Sequence, residues 1–308
     1  MMARAVVFAY HNVGVRCLSV LLARGVEVAL VVTHEDNPNE TIWFDSVAEL
    51  AALHGIPVIK PADPNTDAVL ERVKAARADW LFSFYYRHML KAPLLATASQ
   101  GAYNMHGSLL PKYRGRVPVN WAIIHGETET GATLHVMNEK PDNGAIVDQT
   151  AVPILPDDTA HEVFNKVTVA AELTLYRCLP ALLAGTATLT QQDLAQGAYF
   201  GGRKAEDGRI DWHSSARQIH NLVRAVAPPY PGAHTIIHGL PARILQTQVT
   251  DLHAQDRPEK CLYTEHSKIF AKCGDGSILR IVELELAGHA LDATGFVQRF
   301  GTSPLSLA

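Results

Sequence analysis

The first 106 residues alternate apolar, β-branched runs with stretches of helical period, and this alternation limits the chain to a few architectures. RAVVFAY (4–10) reads as a buried strand and VGVRCLSVLLARG (13–25) as a helix stopped at Gly25. VEVALVVTH (26–34), IPVIKP (56–61), DWLFSFYY (79–86) and GAYNMH (101–106) read as the following strands. SVAELAALHG (46–55) and DAVLERVKAARA (67–78) are the helices between them. Parallel strands need crossover connections of this length, so the expectation is an α/β fold with a Rossmann-like, mostly parallel sheet.

Beyond residue 106 the pattern predicts a helix over 117–126 and strands over 131–138 and 144–154. A long helix over 159–185 starts at a Thr159 cap and ends at Gly185. The texture then turns polar and rich in glycine. This marks a first domain over 1–189, a linker over 190–212 and a second domain over 213–308. The second domain opens with a helix over 213–227. From Pro228 on, short β-like runs alternate with turns, as in a small β-rich domain or barrel.

A chain of 308 residues has room for one large or two ordinary domains, and 47% hydrophobic with 19% charged residues is the composition of a globular protein. No apolar run reaches the roughly 18 residues of a membrane-spanning helix, and the N-terminus reads as a first strand rather than a secretory signal. Cys17, Cys178, Cys261 and Cys273 are scattered, with no C-x-x-C and no zinc-type spacing, which predicts reduced thiols, a cytoplasmic protein and no metal. The net charge of -4 argues against a nucleic-acid partner, and residues 208–308 carry ten Lys and Arg against nine Asp and Glu. The turn after the first strand, H-N-V-G-V, lacks the three glycines of a dinucleotide fingerprint. Neither a phosphate-binding G-x-x-x-x-G-K-[ST] nor a G-x-S-x-G nucleophile elbow is present.

The chemistry is concentrated in YNMHGSLLPKYRGR (103–116). Asn104 and His106 are two apart on a strand, so both side chains share one face near the strand's C-terminal end, where open α/β sheets bind ligands. They can be hydrogen-bonded strand-end residues, or an amide that holds an oxyanion beside a proton donor. Asp142, in EKPDNGAIV, can be a turn residue before Gly144 or a carboxylate that orients and charges a histidine. Lys112, Arg114 and Arg116 make either a solvated basic loop or an anion clamp. Tyr10 and Tyr85, from their places at strand ends, and Arg114, from its place in the loop, are candidate substrate contacts.

The string NMHGSLLPKYRGRVPVNWAIIHGETETGATLHVMN with the later D-N-G-A-I-V resembles the folate-dependent formyltransferases. VVFAYHNVG, THEDNP, FSFYYRHML and RAVAPPYPGA look more narrowly like the formyltransferase part of the bifunctional polymyxin-resistance enzyme. That enzyme formylates UDP-4-amino-4-deoxy-L-arabinose for lipid A modification. The likeness runs from about residue 4 to 300. The relative's decarboxylating dehydrogenase domain has no counterpart here, so a separate decarboxylase partner is an expectation.

The resemblance implies an OB-like second domain and 10-formyltetrahydrofolate as co-substrate. It gives Asn104 the stabilisation of the transition state, His106 the proton donation and Asp142 the raising of the His106 pKa. It places the folate against His88, Met89, Leu90 and Arg116, and against Asn138, Glu139, Lys140, Pro141 and Asp142. The acceptor it implies is the amine of a UDP-amino-sugar. The open alternatives are a methionyl-tRNA formyltransferase, a formyltransferase for another amino-sugar nucleotide, and a non-catalytic folate-binding protein.

Overall fold

A computed structural model of the chain describes residues 3–253 and 258–307. The outer ends of the two expected domains, at residues 1–2 and 308, lie outside the described residues, as do residues 254–257 of the second. Contacts divide the chain into two compact units. The first holds residues 1–118, 129–153 and 164–201; the second holds 119–128, 154–163 and 202–308.

The first unit is built on β1 (Arg4–Ala9), α1 (His11–Ala23), β2 (Glu27–Val32), α2 (Val47–Leu53), β3 (Val58–Ile59), α3 (Asp67–Ala75), β4 (Trp80–Phe84), α4 (Ala92–Leu95) and β5 (Gly101–His106). The short β6 (Arg114–Gly115) and α5 (Pro118–Ile124) follow, then β7 (Glu129–Val136), β8 (Ile146–Pro153), α6 (Ala160–Leu183) and β9 (Tyr199–Phe200); of these, α5 beyond Pro118 and the start of α6, up to residue 163, belong to the second unit. The main sheet runs β3-β2-β1-β4-β5-β7-β8. Its first five strands are parallel; β7 pairs antiparallel with β5, and β8 antiparallel with β7. The mostly parallel sheet expected from the alternating pattern is therefore present.

Parallel strands covered on both faces read as continuous apolar runs. Accordingly Phe8, Phe82, Phe84, Met105 and Leu134 are all buried to within 1% exposure. The helix starts follow side-chain capping. Ser46 accepts from Glu49 N–H and Thr66 from Val69 N–H, while Thr159 and Glu162 cap α6 reciprocally. The expected strand over 56–61 is ladder-paired only at Val58–Ile59, because this edge strand meets β2 through two residues.

The second unit contains α7 (Ala216–Val226) and an antiparallel sheet of β10 (Ala233–Ile237), β11 (Leu240–His253), β12 (Cys261–Glu265), β13 (Lys268–Lys272), β14 (Ser277–Leu286), β15 (His289–Ala290) and β16 (Leu305–Ser306). The path β10-β11-β14-β13-β12-β16 curls as a half-barrel, and β15 pairs with β14. Three register shifts in the β11–β14 ladder supply the bending that bulges give a long strand. The core packs Trp212, Ile219 and Val223 against Ile244, Leu279 and Phe296. Phe296 lies on α8 (Ala293–Phe300), a helix that the β-like reading of this region omits; Asp292 caps it by accepting from Gly295 N–H.

Candidate active site

The ladder between β5 and β7 sets Asn104 opposite His135, and His106 opposite Thr133. Asp142 comes from the loop between β7 and β8 with φ 52°, a left-handed backbone that a non-glycine residue holds only when its surroundings fix it. Its carboxylate faces Asn104, His106, His135 and the Gly115 N–H. Oδ2 accepts from the Gly115 N–H at 2.8 Å. Oδ1 lies 3.6 Å from His106 Nδ1, 3.4 Å from His135 Nε2 and 3.5 Å from Asn104 Nδ2. The structure thus brings Asn104, His106 and Asp142 together and adds His135 to them.

Proton positions follow from the partners. His106 Nε2 lies 2.8 Å from the Tyr113 carbonyl oxygen, which can only accept, so that nitrogen carries a proton and donates. Nδ1 is then the nitrogen left to exchange a proton, on the side of Asp142. His135 Nδ1 donates to the Val136 carbonyl at 2.9 Å. His135 Nε2 lies 3.2 Å from Asn104 Nδ2 and 3.4 Å from Asp142 Oδ1: in the protonated ring it donates to the carboxylate, and in the neutral ring it accepts from the Asn104 amide. The Asp142 side chain is 13% exposed. Burial alone would raise its pKa, but the facing His106 and His135 rings and the Gly115 N–H outweigh it and hold the carboxyl well below the usual range. It is an anion at any working pH.

The loop after β5 is fixed by polar groups that do no chemistry. Ser108 is fully buried and donates to the Lys112 carbonyl, while Thr133 donates to the Ser108 carbonyl and Gln149 to that of Leu110. Two glycines are required here. A Cβ at Gly107 would sit 1.8 Å from the Tyr85 hydroxyl, and Gly115 has φ 103° with the Phe200 carbonyl 2.2 Å from where a Cβ would be.

The remaining candidates are spread around this centre. Tyr85, with φ 56°, lays its hydroxyl over Gly107. Tyr10 donates to Asp36 and lies under the Arg87 guanidinium, beside His34 rather than beside the trio. Arg114 turns its Nη2 to the carbonyls of Leu194 and Gly197. Arg116 is exposed, and its backbone N–H donates to Phe200. His88 and Met89 are exposed after β4, whereas Leu90 is buried. Asn138 accepts from the Lys140 N–H in a turn that leads through Glu139 and Pro141 to Asp142. The Tyr86 hydroxyl, Arg114 Nε and Asn143 Oδ1 are buried with no hydrogen-bond partner among the described residues. Orphaned buried polar atoms of this kind can pair with the polar atoms of a bound ligand.

His135 and Gln192 escape the sequence reading. The signal for His135 is the strand pattern itself: it is a polar residue in a run whose neighbours Ala132 and Leu134 are wholly buried. Gln192 has no local signal; its Nε2 reaches the carbonyls of Asp142 and Gly144 across about fifty positions.

A separate cavity of about 260 Å³ in the second unit is lined by Asp157, His220, Arg224, Thr247 and Arg280. Its buried Arg224 donates to the Leu155 and Asp158 carbonyls, and His220 to that of Pro156, so these two groups serve the fold. Among the described residues no group of three or more His, Cys, Asp or Glu could hold a metal ion, and no helix is long and apolar enough to cross a membrane.

Residues 11–179 match the family model described as formyl transferase, and residues 203–301 match that of the formyl transferase C-terminal domain. Solved structures share the fold at low identity. An N-formyltransferase from Helicobacter canadensis, in complex with folinic acid and dTDP-3-aminofucose, is 20% identical with a TM-score of 0.71, over 91% of this chain and 99% of that one. The sugar 3N-formyl transferase WlaRD, solved in the presence of dTDP and 5-N-formyl-THF, is 19% identical with a TM-score of 0.71, over 91% and 97%. Glycinamide ribonucleotide transformylase 1 from Symbiobacterium toebii is 23% identical with a TM-score of 0.53, over 62% and 95%.

Proposed function

The chain belongs to the formyl transferase family of enzymes, and on that premise we propose that it moves the formyl group of 10-formyltetrahydrofolate to the amine of a UDP-amino-sugar. The acceptor that the sequence resemblance favours is UDP-4-amino-4-deoxy-L-arabinose. The observation that carries the reading is Asp142, an anion whose one carboxylate faces Asn104 and His106 at the mouth of β5.

The folate would lie along His88, Met89 and Leu90 and along Asn138 to Asp142, with Arg116 toward its glutamate; when bound it supplies an activated formyl carbon. The rest falls to the chain's own groups. As the amine attacks, negative charge gathers on the formyl oxygen. The Asn104 amide N–H, only weakly held at 3.5 Å by Asp142, turns toward that oxygen. His106 Nδ1 takes the proton that the attacking amine gives up, holds it beside that oxygen, and passes it to the departing folate nitrogen as the bond from that nitrogen to the formyl carbon breaks. The Asp142 carboxylate stabilises positive charge on the His106 ring while this happens, and the Tyr113 carbonyl keeps the ring from turning. In this scheme His135 sets the face of the Asn104 amide.

The near-neutral charge of residues 208–308 favours a small acceptor over a tRNA. The dTDP-amino-sugar in the Helicobacter canadensis structure favours a second reading, in which the acceptor nucleotide is dTDP-linked. Incubation with 10-formyltetrahydrofolate and, separately, UDP-4-amino-4-deoxy-L-arabinose, a dTDP-amino-sugar and methionyl-tRNA, followed by mass spectrometry, distinguishes them. The proposal expects one added formyl group on the UDP-sugar. Transfer to the dTDP-sugar alone would move the assignment there, and transfer to the tRNA would overturn the charge argument. With the UDP-sugar as acceptor, a separate decarboxylating dehydrogenase would have to supply it.

A further inference from the structure

Residues 189–200 run beside both loops of the site. Thr190 and Ile146 exchange two backbone hydrogen bonds, at 2.8 and 2.9 Å. β9 pairs with β6, so that the Arg114 N–H donates to Ala198 and the Arg116 N–H to Phe200. Between these anchors the Gln192 carboxamide reaches the turn that carries Asp142. Nε2 donates to the Asp142 carbonyl at 3.0 Å and to the Gly144 carbonyl at 2.7 Å. Asp142 is thereby gripped twice. Its side chain is held by the Gly115 N–H and the two imidazoles, and its backbone by one amide from a distant segment.

The left-handed backbone of Asp142 makes this grip consequential. A non-glycine residue relaxes out of that region unless its surroundings forbid it. Relaxation would carry the carboxylate away from His106 and Asn104. The two Nε2 protons of a glutamine match two carbonyls that are two residues apart, and no other side chain contributes a bond to either carbonyl among the described residues.

We propose that Gln192 is a positioning residue: it holds the 142–144 turn so that the Asp142 carboxylate stays registered on His106 and Asn104. The proposal rests on the reading of those three residues as the transfer site. Gln192 touches none of the reacting atoms and acts through Asp142. A displacement of about 1 Å at a reacting group costs on the order of 100-fold in rate, and that is the loss expected.

Two variants separate donation from size. Gln192→Glu keeps the shape but cannot donate, and Gln192→Met removes all polarity. Gln191→Ala, at an exposed neighbour, is the control. Turnover and KM are measured with 10-formyltetrahydrofolate and the accepted amino-sugar, and amide hydrogen exchange at Gly115 and along β1 is followed without substrate. Both variants are expected to lower kcat on the order of 100-fold with little change in the acceptor KM. They are also expected to speed exchange at Gly115 while β1 stays as protected as in the parent. Parental turnover in both variants overturns the proposal. So does lost turnover with unchanged Gly115 exchange, or faster exchange throughout β1, which would make Gln192 a general stabiliser. If the parent itself transfers no formyl group but the variants still loosen Gly115, the grip on Asp142 stands and the transfer reading fails.

Discussion

Replacing Asp142 with asparagine tests the electrostatic core of the mechanism with almost no change of shape. The carboxylate lies 3.6 Å from His106 Nδ1 with its side chain 13% exposed. At that separation, with an effective dielectric constant near 20, a full ion pair is worth about 4 to 5 kcal/mol. The asparagine keeps an oxygen that can accept from Gly115 but loses the charge that stabilises a protonated His106. The barrier should rise by at most that amount, so turnover should fall by up to about 10³- to 10⁴-fold. The sign with pH is fixed by the direction of the shift. Asp142 is held well below the ordinary carboxylate value, so it stays ionised as the assay goes from neutral to mildly acidic conditions. The deficit of Asp142→Asn should therefore be nearly constant over that span. By the same linkage, the stability this carboxylate confers is present above the unfolded value and lost only as pH falls through its depressed folded value. The assay is initial-rate formyl transfer by mass spectrometry from about pH 5.5 to 8.5, with thermal melts of both proteins. Turnover within a factor of about three of the parent, in a folded variant, would refute the reasoning.

Other consequences can be checked together. Leu134, fully buried beside the site, should cost about 2–5 kcal/mol of stability when cut to alanine, read as a shifted urea midpoint. All four cysteines are buried; burial pushes the Cys178 and Cys273 thiols up to about 12 and raises Cys17 well above its ordinary value. The folded protein should thus react with a thiol reagent far more slowly than the urea-unfolded one. His34, stacked on Tyr86, is pushed down to about 4 by burial and then by the nearby His88 and Arg87 charges. Between its ordinary value of 6.5 and 4 the unfolded chain binds the extra proton, so stability should fall as pH drops through that window. His34→Gln should flatten that fall in urea titrations at neutral and acid pH. Gly107→Ala must displace Tyr85, whose hydroxyl lies 1.8 Å from the new Cβ position, and should lower kcat/KM.

The parallel sheet was legible because β1, β2 and β4 are largely apolar runs separated by stretches of helical period, all of which are local properties of the chain. The pair Asn104 and His106 was legible for a similar reason, since period-two geometry alone sets them on one face. His135 is harder to read: it joins the site only through the antiparallel ladder that puts it opposite Asn104, and a register between strands about thirty residues apart leaves no local trace. Gln192 is harder still. It lies in a stretch whose composition is polar and loop-like, and its two bonds to the 142–144 turn depend on the long return through α6. Helix α8 was hidden by β-like residues in Gly295–Phe300, where the Asp292 cap and the Phe296–Phe300 pair decide for helix. The distinction is physical: what one strand or helix dictates is written in its own residues, and what two distant segments dictate together is not.

The central claim is that Asn104 and His106, set by Asp142, carry formyl transfer to a small amino-sugar. Its most direct test is transfer from formyl-labelled 10-formyltetrahydrofolate to UDP-4-amino-4-deoxy-L-arabinose by the parent, Asn104→Ala and His106→Ala proteins. The label should appear on the sugar amine with the parent enzyme, and each variant should retain its fold while losing about 10²–10³ in turnover. Near-parental transfer by both folded variants would contradict the account.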